Sequence, residues 1–327
     1  MIVLRNDNLK LGKYLAQKFD KSIGVITYSG TLALELALID CNFSKNTGVI
    51  VSSEVCSSII NTIIKLDLIP LIIYPQKDMI LTNEEVDRVL QQYQVGCILL
   101  VHQFGLVNDI SRIKNDYPHI KIIEDIAQSW DISQRDFKVG EYSDYIITSF
   151  GKTKPLSYGI GGAIMTNNES ILDKIDFCDS ISRESKNVLY SYAYPLCDKI
   201  NIKKLINNAD KIVNNQRKVA KYYMDLFKDN KNIYFIQNNH LNTWHRFPIW
   251  IKDDQYFNCF LKLLDTCEIK YQLTHKIEIG SLPMVKTKAI IVNNCKTKSN
   301  IILLRTRVFN TNYKSKISKL KKLIVNN

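Results

Sequence analysis

The feature that most constrains this chain is an alternation of short, continuously apolar runs with helical patterns through its first half. The runs are rich in β-branched residues and occupy positions 24–28, 48–53, 68–75, 97–105, 121–128, 145–151 and 161–167. Between them lie segments such as TLALELALI and NEEVDRVLQQYQ, whose apolar residues recur at helical spacing. Strands that are apolar throughout are buried on both faces, as in parallel sheets with helical crossovers. The pattern therefore predicts an α/β fold with a mostly parallel sheet between helices.

The pattern changes after about residue 170. A long helical stretch at 211–227 leads into two shorter strand-like runs, NTWHRFPIWIK and NIILLRTRVF, and then into KSKISKLKKLIV, which has the stripe of an amphipathic closing helix. We therefore predict two domains that pack together. Residues 1–200 form the large sheet-containing domain, and residues 201–327 form a smaller α+β C-terminal domain.

Composition favours a folded protein of the cytoplasm. Hydrophobic residues make up 46% of the chain and charged residues 23%, which is a globular balance. No run approaches the roughly 20 apolar residues of a membrane span, and the first residues lack the apolar centre of a secretory signal. The 8 cysteines are scattered, without a CxxC pair or histidines at metal-ligand spacing. We expect reduced thiols, no metal site and no membrane contact.

The net charge of +12 is unevenly distributed, because the excess of basic residues lies entirely after residue 165. Such asymmetry can mark an anionic partner, but solvated helical faces also explain it. No nucleic-acid recognition motif is present, so we expect no nucleic-acid partner. Arg246, Arg305 and Arg307 are candidates for binding a substrate carboxylate or pyrophosphate, and the alternative is that they are ordinary charges at strand edges.

Ligands of such sheets collect at the carboxyl ends of the strands, so the residues that follow each strand deserve most weight. The first strand ends in Tyr28-Ser29-Gly30-Thr31, and a helix follows at once. A tight turn before a free helix N-terminus favours a phosphate. Serine as a helix cap explains the same residues, so the turn alone leaves both interpretations open.

Two further strand ends carry polar residues. Asp125 ends the strand KIIED and can hold a cation or a protonated ring nitrogen, with Gln128 able to reach a neighbouring oxygen; a cap on the next turn, made by Asp125 or Glu124, is the alternative. Ser149 closes another strand before the loop GKTKPLSYGIGG, which contains two lysines, Lys152 and Lys154. A lysine on a glycine-rich loop is either reactive or merely solvated.

Taken together, SGT before a helix, EDIAQ, and SFGKTKPLSYGIGG occur in the order and approximate spacing of the DegT, DnrJ and StrS family of sugar aminotransferases. The resemblance extends to VIVSSEVCSSIINTI, VHQFG, QRKVAKYY and WHRFPI, and so covers nearly the whole chain. It implies the fold of fold-type I enzymes and pyridoxal 5′-phosphate (PLP) as cofactor. It also implies a homodimer, and transfer of an amino group from a donor, glutamate, to a nucleotide-linked keto sugar for surface polysaccharide or related amino-sugar biosynthesis.

The resemblance assigns roles to individual residues. Lys154 matches the lysine that forms a Schiff base with the cofactor, with Lys152 as its neighbour, and Asp125 matches the carboxylate that pairs with the pyridine nitrogen. Gln128 matches the residue beside the phenolic oxygen of the ring. The residues that match the phosphate-binding positions are Gly30, Thr31 and Ser149. Because Lys154 is retained, the resemblance favours transamination over the related dehydratases, in which a histidine replaces this lysine.

The sequence also departs from the family pattern. Gly151 stands where a histidine is usual, and Cys56 stands where many members place an aromatic ring against the cofactor. The N-terminus is shorter by about one or two helical turns. The family's Gly-x-Asn-x-Arg segment, which reaches the cofactor of the other subunit, is absent, and LYSYAYPL (189–196) occupies the region. Completion of the site by a partner subunit therefore stays open, as does a catalytically silent family member that acts by binding or regulation.

Overall fold

A computed structural model describes most of the chain in eleven segments. These are residues 6–75, 79–109, 111–130, 133–134, 137–175, 202–237, 242–273, 279, 282–293, 300–307 and 311–325. The helices are α1 (Asn6–Lys18), α2 (Gly30–Asp40), α3 (Ser57–Lys65), α4 (Asn83–Gln92), α5 (Ser111–Asp116), α6 (Ile202–Phe227), α7 (Asp254–Thr266), α8 (Pro283–Lys288) and α9 (Thr311–Val325).

The strands fall into two main sheets and a short hairpin. They are β1 (Ile23–Thr27), β2 (Gly48–Ser52), β3 (Ile69–Ile73), β4 (Val95–Val101), β5 (Lys121–Asp125), β6 (Ser133–Gln134), β7 (Phe137–Lys138), β8 (Tyr145–Ser149), β9 (Gly162–Thr166), β10 (Ile233–Phe235), β11 (Arg246–Ile251), β12 (Tyr271–Leu273), β13 (Ile290–Ile291) and β14 (Asn300–Arg305).

The large sheet has the order β1-β9-β8-β5-β4-β2-β3-β13. Its strands are parallel except β9, which runs antiparallel to both of its neighbours, β1 and β8. The prediction of a mostly parallel α/β sheet is confirmed, and each apolar run of the first half overlaps one of its strands. The edge strand β13 comes from the second half of the chain and pairs with β3.

Both faces of the large sheet are buried, as continuous apolar strands require. Alternate residues of β2 show this, since successive side chains of a strand point to opposite faces. Val49 and Val51 belong to the core that includes residues of α2 and α3, whereas Ile50 belongs to the core on the other face, which includes Val86 and Val89 of α4. All three β2 side chains are fully buried.

The second sheet is antiparallel, with the order β10-β11-β14-β12. Its core is aromatic, and Phe227, Phe247 and Phe260 are fully buried where α6 and α7 cover the sheet. The closing helix predicted from KSKISKLKKLIV is α9, whose Leu320 is fully buried in the same core. A domain boundary at residue 200 stays a prediction, and β13 and α8 lie against the large sheet and α3.

The topology brings three strand ends to one edge. Strands β1 and β8 both run antiparallel to β9, so they are parallel to each other, and β8 is parallel to β5. Their carboxyl ends, where the candidate site residues were predicted, therefore share one edge of the sheet. Among the described helices, none combines the length and apolar character that crossing a bilayer requires.

Candidate active site

The N-terminus of α2 lies against the end of β8. Ser29 is the N-cap, and its Oγ accepts a hydrogen bond of 3.1 Å from the amide of Leu32, so the serine cap that the sequence offered as an alternative is present. Gly30 is packed so tightly that a Cβ there would lie 3.0 Å from the Cβ of Ser149, and a Cβ on Gly162 would lie 2.5 Å from the amide nitrogen of Gly30. This close packing sets the first turn of α2 beside the Ser149 side chain, where its amides favour an anion.

The lysine loop leaves β8 and folds back on itself. Phe150 is fully buried; its amide donates to the carbonyl of Gly161 (2.8 Å), and its own carbonyl accepts from the amide of Gly159 (2.8 Å). Gly159 and Gly161 both have positive φ angles, which explains glycine at these positions. The buried phenyl ring thus anchors the loop that carries the two lysines.

The two lysines of this loop differ in their surroundings. Lys152 is exposed, and its carbonyl accepts a hydrogen bond of 2.7 Å from Nη1 of Arg307. Lys154 is half-buried, and its ammonium lies close enough to Asp125 to lower the pKa of that carboxyl. Of the two lysines, Lys154 is therefore the one whose charge couples to the acidic strand end.

Asp125 is the last residue of β5 and is half-buried. Burial raises the pKa of Asp125, and the Ala127 amide, Lys154 and His102 act in the opposite direction. Its Oδ1 accepts from the Ala127 amide (2.8 Å), which is the turn-capping contact that the sequence offered as an alternative. Burial disfavours a carboxylate that has no charged partner, so a cation bound beside Asp125 would be stabilised.

The preceding carboxylate, Glu124, is part of a buried pair that the sequence did not reveal. Nδ1 of His102 accepts from the Asn108 amide (3.2 Å), so Nε2 carries the hydrogen and donates to Oε2 of Glu124 at 3.0 Å. The other oxygen of Glu124 accepts from the Gly140 amide (3.1 Å). His102 and Glu124 are almost fully buried, so the pair fixes the end of β4 against β5. The motif VHQFG contained the histidine, but only the fold supplies its partner.

Gln128 joins the strand end to the C-terminal part of the chain. Its Oε1 accepts from the Phe104 amide (3.2 Å), and its carbonyl accepts from Oγ1 of Thr243 (3.1 Å). Gly105, with φ of 81°, makes this approach possible, since a Cβ there would lie 2.5 Å from Oγ1 of Thr243. The segment before β11 is therefore fixed directly on the site.

His245 follows in that segment, and the sequence pattern did not indicate a role for it. It is buried, and Nδ1 has no hydrogen-bond partner among the described residues. Burial lowers the pKa of His245 well below its usual value, and the nearby charges of Arg246, Lys154 and Arg307 act in the same direction. The imidazole is neutral at physiological pH and lies near the reactive lysine candidate.

Two remaining predicted residues lie at the same edge. Thr31 is exposed in the first turn of α2, and Cys56 is an exposed residue that precedes α3 after the end of β2, with its thiol 3.0 Å from Oγ of Ser58. Among the described residues, Cys41, Cys56, Cys97, Cys259 and Cys267 are free thiols. The segment 189–196 lies outside the described residues.

Solved structures of known proteins share this fold. DesV from S. venezuelae superposes with a TM-score of 0.80 at 17% identity and covers 98% of this chain and 90% of that one. An aminotransferase from Brucella abortus superposes with a TM-score of 0.77 at 17% identity, covering 98% and 91%. The fold is that of the fold-type I PLP-dependent aminotransferases, which confirms the predicted fold class.

Curated relatives match over shorter stretches. The GDP-perosamine synthase of Vibrio cholerae is 26% identical over 208 residues, 60% of this chain and 55% of that protein. The UDP-4-amino-4,6-dideoxy-N-acetyl-beta-L-altrosamine transaminase of Campylobacter jejuni is 30% identical over 189 residues, covering 52% and 48%. The match to this chain thus spans about half the length of each of these relatives.

One family model extends much further along the chain than either relative. The DegT/DnrJ/EryC1/StrS aminotransferase family matches from residue 3 to residue 305, which includes the α2 N-terminus, the end of β5 and the lysine loop. The chain belongs to this family of PLP-dependent sugar aminotransferases.

Proposed function

We propose that this chain uses PLP to transfer an amino group to a keto sugar carried on a nucleotide. The observation that carries the proposal is the meeting, at one sheet edge, of a helix N-terminus, a half-buried carboxylate and a half-buried lysine whose charge acts on that carboxylate. The relatives support the choice of substrate, since the names of the two proteins given above contain a GDP-linked and a UDP-linked sugar.

The residues present fit PLP in each part of its structure. Gly30, Thr31 and Ser149 would hold the phosphate, because glycine packing leaves the first turn of α2 beside the Ser149 hydroxyl. Asp125 would pair with the ring nitrogen, since its half-buried carboxylate gains from a cationic partner. Gln128 would lie beside the ring oxygen, Cys56 would face the ring, and Lys154 would hold the cofactor covalently.

When bound, PLP supplies a carbonyl that accepts and returns an amino group, and a ring that withdraws electrons from the substrate carbon. Asp125 would hold the ring nitrogen in its protonated form, which would strengthen that withdrawal. Lys154, once its amine is free, moves the proton at the reacting carbon, because a lysine beside a partly buried site is a suitable base. The neutral imidazole of His245 adds no further positive charge beside that lysine.

The finer parts of the proposal follow the family resemblance. We infer glutamate as the amino donor, a homodimer as the working assembly and surface polysaccharide or related amino-sugar biosynthesis as the process. The free thiols of the described cysteines favour the cytoplasm as the location. Lys154 favours amino transfer over the dehydration catalysed by relatives that carry histidine instead.

A panel of keto sugars on different nucleotides tests the proposal. The protein is loaded with pyridoxamine 5′-phosphate, and recovery of the PLP absorbance is followed after each sugar is added. We expect at least one nucleotide-linked keto sugar to restore the absorbance, and the Lys154→Ala variant to restore none. A protein that binds the cofactor but turns over no sugar of the panel and no amino acid donor would instead be the silent family member.

A further inference from the structure

A pocket rich in cations opens beside the lysine loop. It has a volume of about 300 Å³, near the lower end of the roughly 300–1,000 Å³ typical of ligand sites. Four of its lining residues are positively charged: Arg246, Lys270, Arg305 and Arg307. Thr153 also lines it, so the pocket begins one residue from Lys154. None of these four cations has a place in the cofactor chemistry described above.

The cations of this pocket lack ion pairs within the described part of the chain, and the nearby Glu268, whose pKa is lowered by Lys316 and by Lys270, is itself paired with Lys316. Arg246 and Arg305 are direct partners on the antiparallel strands β11 and β14, which are the two inner strands of the small sheet. No carboxylate of the described residues lies within ion-pair distance of any of the four cations. Like charges placed opposite each other across strands reduce stability.

The arginines are also held in place. Nη1 of Arg246 donates to the carbonyl of His245 at 2.9 Å, and Nη1 of Arg307 donates to the carbonyl of Lys152 at 2.7 Å. Each guanidinium keeps further N–H donors for a ligand, in a planar fork that matches phosphate oxygens. Burial and the charges of Arg305 and Arg307 lower the pKa of Arg246, so an anion would relieve an existing repulsion.

A second observation connects this pocket to the reacting centre. The buried Nδ1 of His245 has no partner among the described residues, and the charges that act on this ring belong to Arg246, Arg307 and Lys154. This imidazole, with Nδ1 unpartnered, therefore lies where the arginine pocket approaches the lysine. A ligand that extends from one to the other would pass this ring.

We propose that this arginine pocket is a subsite for the diphosphate of the substrate, with the sugar directed toward Lys154. Three arginines and a lysine exceed what the single charge of one carboxylate can balance, whereas a diphosphate brings several charges in two adjacent groups. The subsite rests on the proposed function for the identity of the whole substrate. The binding of a diphosphate itself does not.

Calorimetric titration with inorganic pyrophosphate and with UDP and GDP tests the subsite. The protein is first saturated with PLP, which fills the phosphate site at α2, and is then titrated at low salt. We expect Arg305→Gln to weaken binding of these probes by tenfold or more, about 1.4 kcal/mol. Lys262→Gln, which removes an exposed charge on α7, is the matched control and should change affinity less than twofold.

Two outcomes would overturn the subsite. One is equal affinity of the wild type and Arg305→Gln for pyrophosphate. The other is a tenfold loss of glutamate or 2-oxoglutarate binding in Arg305→Gln with pyrophosphate binding unchanged, which would make the pocket the donor site. Failure of PLP to bind would instead count against the proposed function, and the pyrophosphate comparison would still decide on the pocket.

Thermal unfolding of the protein without a diphosphate provides a second readout. Because Arg305 faces Arg246 without an acidic partner, we expect Arg305→Gln to unfold at the same temperature as the wild type or higher. Added pyrophosphate should then raise the unfolding temperature of the wild type more than that of the variant. A lower unfolding temperature of the unliganded variant would show a structural role and contradict the subsite.

Discussion

Two adjacent carboxylates end strand β5, and their surroundings give them different tasks. Glu124 accepts hydrogen bonds from His102 and from the Gly140 amide, so its charge is satisfied within the fold. Among the described residues, the hydrogen-bond donor to Asp125 is the Ala127 amide, and burial raises the pKa of Asp125. A carboxylate that few groups of the fold stabilise is the better candidate for binding the cationic part of a ligand.

The first prediction concerns Asp125→Asn. The amide oxygen of asparagine can still accept from the Ala127 amide, so the turn is kept while the charge is lost. We expect the variant to fold, to attach the cofactor to Lys154, and to lose about a hundredfold or more in half-reaction rate, a barrier increase of ~2.7 kcal/mol. Single-turnover kinetics measures this loss. A less stable variant with an unchanged rate would show that Asp125 is only a turn cap.

The stability of the cofactor-free protein should also depend on pH through Asp125. Because the folded pKa of Asp125 is raised, the native state binds more protons than the unfolded state above the ordinary pKa of about 3.9. The wild type therefore loses stability from this group as pH rises through that window, and Asp125→Asn does not. Denaturant melts should show the variant at least as stable as the wild type at pH 7, with the difference shrinking toward pH 4.

The second prediction separates the two lysines of the loop. Lys154 is half-buried and acts on Asp125, whereas Lys152 is exposed and contacts Arg307 only through its carbonyl. Borohydride reduction should therefore fix the cofactor to Lys154, as peptide mapping would show, and Lys152→Ala should be labelled as the wild type is. An adduct mapped to Lys152 would shift the register of the whole loop and refute the assigned role of Lys154.

At the scale of elements, the sequence predicted what local pattern controls. Continuous apolar runs predicted the strands of the large sheet. A strand that is buried on both faces is apolar at every position, so it can be recognised without an alternating pattern. The two-residue strand β13 was out of reach, because Ile290 and Ile291 pair with β3 only through a contact more than two hundred residues apart in sequence. The facing of Arg246 and Arg305 was missed for the same reason, since register between β11 and β14 is set by the fold.

The third prediction tests the N-terminus of α2 as a phosphate site. A Cβ on Gly30 would lie 3.0 Å from the Cβ of Ser149, so Gly30→Ala must displace either the first helical turn or the end of β8. We expect at least tenfold weaker PLP binding by fluorescence titration. Gly151→Ala is the control in the same region, because a Cβ there meets Oγ of Ser149 at an ordinary 3.5 Å. Equal affinities of the two variants would argue against phosphate binding at this turn.

At the scale of the whole molecule, the net charge of +12 raises the question of a nucleic-acid partner. The described basic residues of the second half are partly engaged already. Lys316 of α9 pairs with Glu268 at 2.6 Å, and Lys319 donates to the carbonyl of Thr266 at 2.9 Å. Four further cations, which form no ion pair among the described residues, line the arginine pocket of about 300 Å³. A pocket of that size accepts a compact anion, whereas a duplex needs charges spread along its backbone.

We therefore expect duplex and single-stranded DNA and RNA to bind more weakly than about 1 µM at ~150 mM salt, the range of non-specific contacts. Fluorescence anisotropy over a series of salt concentrations measures both affinity and slope. A protein that follows a phosphate backbone releases counterions in proportion to its contacts, so a steep slope together with submicromolar affinity would contradict this expectation. Arg305→Gln then locates the cause: nucleic-acid binding that survives in this variant comes from the helical lysines, and binding that disappears comes from the arginine pocket.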